Sequence, residues 1–347
     1  MDVRLSPEQQ ALRDSAARVV DRLGTATVGA LDDTERTAKL EAAVDATGWR
    51  ELRAAAEGDE PLASGVEAAI VAEELGRGLA DVAFLGPTLA ADLRRLVGAP
   101  PATGPETVAF TPDLAAPASA ADVSRPAGAI AIDAQGASTA LVLVAGDDGH
   151  ALAIVDLPTS PVRVDLTRPS VAPGRLAEAV PVPDPARTLT PDALTRWTAL
   201  GLALTCADLV GTMTGAVRLS VDYAAERRQY GVPVGSFQAV QHLLADAHVA
   251  TEGSRSVALH AAWAVDALPA DEALAAAAVA KAYCARAARM VCETAIQVHG
   301  GIGNTWECLA HVYLRRAQLD SDILGGVGPN LERVLDHHGL GGAHGLR

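Results

Sequence analysis

Two stretches carry the fold: residues 227–246 read RRQYGVPVGSFQAVQHLLAD, and residues 295–307 read AIQVHGGIGNTWE. Each lies where one helical pattern stops and another starts. Upstream of the first, apolar residues recur at helical spacing through Leu194, Trp197, Leu200 and Leu204 to about Arg228, with Asp192 as the expected N-cap. A second helix is expected from Ser236, with Val240, Leu243, Leu244 and Ala247 on its buried side. A third is expected over 271–298, stopped by Gly300-Gly301, and a fourth from Glu307 to Leu319 or beyond. Long helices joined by short turns make an antiparallel bundle.

Working outward, the texture changes over 106–185, where Pro and Gly are frequent and apolar runs are short and β-branched. Strands are expected over 107–110, 129–132, 140–144 and 151–155, with Asp148-Gly149 as a hairpin turn and 115–124 as a loop. Before it, Ser6 caps a first helix, and further helical patterns cover 40–55, 66–79 and 89–96, ending at Pro100-Pro101. The chain divides into a helical unit at 1–104, a small β unit at 105–188 and a bundle at 189–347. Hydrophobic residues make up 49% of the sequence but aromatics only 3%, so the core must be built from Ala, Leu and Val, which suits close-packed helices.

Charge and cysteine content narrow the chemistry. The formal charge is −15, with acidic residues spread along the chain, which excludes nucleic acid as the natural partner. An anionic ligand would need a local Arg cluster or a helix N-terminus. The N-terminal segment lacks the basic and apolar regions of a signal peptide, and no apolar run reads as a membrane span; the 200–210 run is short and contains Asp208. A cytoplasmic chain with no membrane partner is expected. Cys206, Cys284, Cys292 and Cys308 have no metal-ligand spacing and read as reduced, structural residues.

Three features can carry function. Arg227-Arg228 closes one long helix; such a pair is either a solvated terminus complementing the helix dipole or a forked clamp for phosphate. Gly300, Gly301 and Gly303 are either a helix cap or an opening through which a ligand approaches backbone amides, and His299 beside them reads as a packing or turn residue. Tyr313, Arg316 and Asp320 share a helical face with the spacing of an ion-pair ladder. Nucleophile elbows, P-loops, dinucleotide fingerprints and zinc motifs are absent.

In this order and spacing, the two motifs resemble the C-terminal domain of acyl-CoA dehydrogenases, and the whole chain resembles the non-catalytic, auxiliary subunit of the actinobacterial heteromeric enzymes. The resemblance implies a mainly α fold with a small β domain: N-terminal helices, a middle β domain and a C-terminal four-helix bundle. It implies FAD as cofactor and α,β-dehydrogenation of an acyl-CoA thioester, with a steroid side chain as one candidate acyl group. By that resemblance Arg227 grips the FAD pyrophosphate with Gln238 nearby, while Gln297, Gly300 and Gly301 contact the adenosine part, all serving a flavin held mainly by the neighbouring subunit.

The middle segment lacks the family's Y-x-x-T-E-x-x-A-G-S-D and W-I-T-N elements around the flavin ring. Gly325 and Gly201 lie where the family carries its catalytic Glu. Asp208 and Glu332 are the nearest carboxylates in sequence, expected to be paired in the bundle and solvated, respectively. The resemblance thus implies no catalytic residue in this chain, and a second subunit carrying the Glu, in a heterotetramer sharing the FAD. A homodimeric flavoprotein with different chemistry and a flavin-free acyl-CoA or protein-binding scaffold fit the same residues.

Overall fold

The computed structural model describes residues 4–56, 59–125, 127–159, 164–173 and 179–340. Four helices come first: α1 (Pro7–Leu23), α2 (Thr34–Thr47), α3 (Gly65–Arg77) and α4 (Leu85–Val97). Ser6 and Ser64 cap α1 and α3 in reciprocal capping boxes with Gln9 and Glu67. The pattern over 40–55 does not run through as one helix. α2 stops at Thr47 because Gly48 takes the left-handed conformation, with φ +65°.

Strands β1 (Glu106–Phe110), β2 (Ile130–Ala131), β3 (Thr139–Gly146), β4 (Gly149–Asp156) and β5 (Val180–Pro181) form one sheet in the order β2-β1-β3-β4-β5. β1 and β3 are parallel; the other pairs are antiparallel. The alternation of small and large residues decides which face goes where. Val108, Phe110, Leu141, Leu143 and Leu152 join the main core with the helices, whereas Ala109, Ala140, Val142, Ala153 and Val155 build a second core on the opposite face. The β3–β4 turn is Asp147-Asp148, because Gly146 pairs with Gly149. The 115–124 stretch is not all loop: α5 (Ala120–Val123) forms there, capped by Ser119 and Asp122.

The bundle consists of α6 (Pro191–Glu226), α7 (Gln238–Ala267), α8 (Ala270–His299) and α9 (Ala310–Asp322), followed by α10 (Val327–His337) packed on α8. Thr190, not Asp192, caps α6, with Pro191 at the first helical position and Asp192 in the first turn. At 36 residues α6 is about 54 Å long. By length and composition it could cross a membrane, yet 89% of its apolar window is buried within the protein. Trp197 anchors it, donating its indole N–H to the carbonyl of Leu89 at 3.0 Å and stacking near Phe110 of β1. All four cysteines are free and buried, and burial pushes the Cys292 thiol up to about 12.

The expected buried side of α7 is corrected by the structure. Of Val240, Leu243, Leu244 and Ala247 only Ala247 is buried, and Leu243 is 38% exposed. The stripe is apolar, but the described residues cover its first turns only in part, leaving Val240 and Leu244 half-buried.

Candidate functional site

α6 and α8 run in parallel and α7 runs back between them, so the end of α6, the start of α7 and the end of α8 meet at one end of the bundle. Arg227, Gln238, Gln297, Gly300 and Gly301 are gathered there, and all five are exposed. Arg227 is the C-cap of α6: its N–H donates to Tyr223 at 2.8 Å and its carbonyl accepts from Val234 at 2.7 Å. The backbone is thereby pinned, while the guanidinium has no ion pair or hydrogen bond among the described residues. Between Arg227 and Gln238 lies a two-residue hairpin, β6 (Arg228–Gln229) and β7 (Val232–Pro233). Its turn residues, Tyr230 and Gly231, both have positive φ, as this tight turn requires.

Phe237 precedes α7 and offers no side-chain cap; the Val240 N–H donates to the Phe237 carbonyl at 3.0 Å, which leaves the amides of Gln238 and Ala239 uncapped at the helix start. Gly300 ends α8 at φ +63° and ψ −139°, a backbone region open only to glycine. A Cβ at Gly300 or Gly301 would meet nothing within 4 Å, so the space in front of these residues is clear. His299 is buried under the turn: its Nδ1 lies 2.7 Å from the Ala295 carbonyl, which can only accept, so Nδ1 carries a proton, and burial lowers the ring's pKa against that bond. Tyr223 stacks on that ring at 4.4 Å. Sequence reading passed over Tyr223; its place one turn before Arg227 was the available signal.

The other end of the bundle holds the two positions read as sites of a missing carboxylate. Gly201 lies on α6 beneath Leu324, whose Cδ1 would be 2.4 Å from an added Cβ. Leu324 is 1% exposed and donates its N–H to Leu114 at 2.7 Å. Gly325 follows at φ +91°, with Pro329 3.1 Å from where its Cβ would be. Leu324 thus crowds Gly201, and Pro329, with the Asn330 amide beside it, crowds Gly325, whose positive φ also disfavours a side chain. From Gly201 to Arg227 along α6 is roughly 40 Å, farther than any dinucleotide reaches, so the two ends cannot serve one cofactor molecule.

Neither neighbouring carboxylate is a free base. Asp208 is buried and receives both Nε (2.8 Å) and Nη2 (2.7 Å) of Arg316, with Arg168 at 3.3 Å. Burial alone would raise its pKa, but Arg168 and Arg316 outweigh it and hold the carboxyl below the ordinary range. Asp320 shares the cluster and is pushed well up, chiefly by burial, while Arg168 donates to it and Lys281 donates to its backbone carbonyl. Arg316 and Asp320 are thus not partners of each other on α9; their salt bridges run to α6 and to the middle unit. Glu332 is exposed. Among the described residues no His, Cys, Asp and Glu group has metal-binding geometry.

A long α bundle, a small five-stranded sheet and a basic helix end set against a glycine turn define an acyl-CoA dehydrogenase fold, and residues 198–328 match the model of the acyl-CoA dehydrogenase C-terminal domain family. The chain belongs to the acyl-CoA dehydrogenase family: it is 31% identical over 277 residues to acyl-CoA dehydrogenase IpdE2 of Mycolicibacterium smegmatis, covering 77% of each chain. Among solved structures it superposes on a Tcur3481-Tcur3483 steroid ACAD variant with a TM-score of 0.77 at 24% identity, covering 96% of this chain and 98% of that one. It matches the ChsE4-ChsE5 complex from Mycobacterium tuberculosis with a TM-score of 0.76 at 23% identity, over 98% and 99% of the two chains.

Proposed function

We propose that this chain is one subunit of an FAD-dependent acyl-CoA dehydrogenase, lending half of a flavin site to a partner of the same family that holds the flavin ring and the catalytic carboxylate. One observation carries the reading: an exposed Arg227 with no side-chain partner among the described residues stands at one end of the bundle, while Gly201 and Gly325 at the other carry no carboxylate and are crowded by Leu324 and Pro329. FAD is carried by solved members of this fold. The residues fit it. A forked guanidinium and uncapped helix amides suit a pyrophosphate, and the clear space before Gly300 and Gly301 admits a nucleoside against backbone.

The chemistry FAD supplies when bound is acceptance of the hydride from Cβ. This chain's part is to neutralise and orient the dinucleotide through Arg227 and Gln238 and to leave the α-proton to the partner's base. A base must lie within hydrogen-bonding reach of the carbon it deprotonates, and here Leu324 fills that space over Gly201. The partner surface is supported by an exposed stripe on α8, Val279, Tyr283 and Met290, which runs toward Gln297. The paired chains among the structural neighbours support a heteromer, and the steroid acyl-CoA dehydrogenase among them supports a bulky acyl thioester as substrate. A heterotetramer in the cytoplasm is the assembly this reading implies.

The test is co-expression with a family member that retains the Glu, followed by the flavin absorbance of the purified complex. A yellow complex that loses FAD on Arg227→Ala supports the reading. Failure of the two chains to associate, with this one a colourless monodisperse monomer, overturns it.

A further inference from the structure

We infer that Tyr223 and His299 form a positioning pair that sets the distance between the two halves of the cofactor-binding end, Arg227 on α6 and the Gly300–Gly301 turn after α8. This rests on the reading of that end as a flavin site. The two elements are separate in sequence and carry different parts of the proposed contact, so something must hold them in register. Tyr223 touches both. Its carbonyl accepts the N–H of Arg227 at 2.8 Å, and its ring stacks on His299 with centroids 4.4 Å apart and planes 27° from parallel. Its hydroxyl lies 3.4 Å from the His299 carbonyl, the last one before Gly300.

His299 is in turn fixed from its own helix, with Nδ1 2.7 Å from the Ala295 carbonyl. That bond closes one turn of α8; the stack on Tyr223 is a separate contact made by the ring face. Arg227 is anchored through its backbone, since its side chain has no partner among the described residues, so the position of its Cα is what the pair controls. Neither ring is assigned a contact with the cofactor.

The experiment uses the complex of the full chain with its dehydrogenase partner and measures FAD affinity by flavin fluorescence, with thermal unfolding in parallel. His299→Ala removes the stack and should weaken FAD binding roughly three- to tenfold, the range expected of one aromatic pair. His299→Phe keeps a flat ring and should restore affinity to within about twofold, which a role through the imidazole's own chemistry would not allow. Tyr223→Leu, which keeps bulk but not the stack, should repeat the His299→Ala loss, and it serves where His299→Ala fails to fold. Unchanged FAD affinity in both stack-removing variants, with Arg227→Ala still impaired, overturns the positioning pair and leaves the flavin site standing. Equal losses in His299→Ala and His299→Phe also overturn it. Unchanged affinity in Arg227→Ala as well removes the flavin site itself.

Discussion

Arg316 on α9 lays two guanidinium nitrogens on the carboxylate of Asp208 on α6, at 2.8 and 2.7 Å, inside a core where both side chains are almost wholly excluded from water. Arg168 of the middle unit reaches the same carboxylate, so one buried anion ties three parts of the molecule together. Asp208→Asn leaves two buried cations short of a counter-charge and should cost about 3–5 kcal/mol. The folded-state pKa of Asp208 is depressed, so its contribution is present above the unfolded carboxylate pKa and is lost as pH falls through the lower, folded value. Urea unfolding should give the full deficit at neutral pH, shrinking only when the pH is taken below about 4.

Arg227→Ala should change unfolding free energy by no more than about 0.5 kcal/mol, since the side chain is exposed and unpaired. FAD retained by the complex after gel filtration should fall severalfold. Unchanged retention returns Arg227 to the role of a solvated helix end.

Gly325→Glu tests the reading of the closed end. A side chain there must adopt φ +91° and press on Pro329 at 3.1 Å, so the substitution should destabilise by about 1–3 kcal/mol and give no dehydrogenase activity in the isolated chain. Gly201→Glu should fare no better, because Leu324 occupies the space its Cβ needs. Bleaching of flavin by an acyl-CoA with the wild-type chain alone would make the homodimeric enzyme the better account.

Tyr283 is 45% exposed and Met290 39%, on the same face of α8. Tyr283→Glu or Met290→Glu should leave helical content and thermal stability unchanged while weakening association with the partner by at least tenfold, read by analytical ultracentrifugation. Wild-type chain without the partner should self-associate through the same face, and the charged variants should suppress this.

Much of this was legible in the residues. Apolar period gave the long helices because α6 to α9 keep that spacing over many turns, and short β-branched runs marked β3 and β4, while the faces of the sheet emerged only from the packing. What failed was local or non-local in a specific way. Gly48 ended α2 early through a conformation that apolar periodicity cannot register, and Ser119 drew a helical turn from an Ala-, Pro- and Ser-rich stretch. The stripe at Val240, Leu243 and Leu244 was read as buried because a pattern marks an apolar face without saying which chain covers it. The motif residues could be placed on helix ends, but their convergence needed the parallel course of α6 and α8. Arg168 has one local partner, Asp165 three residues before it, but its links to Asp208 and Asp320 span 40 and 152 residues, a distance no local pattern registers.

The length of α6 has a consequence for how such a subunit arises. A single rod links one end that presents Arg227 to another where Leu324 covers Gly201, and the two lie far apart along it. If the near end works in a neighbour, as proposed, then after a gene duplicates one copy can let its far end decay into ordinary core while its near end stays under selection. The sister copy is then free to drift in the opposite sense. Mutual dependence follows without any new contact having to be invented: each copy has only to stop maintaining what the other still provides.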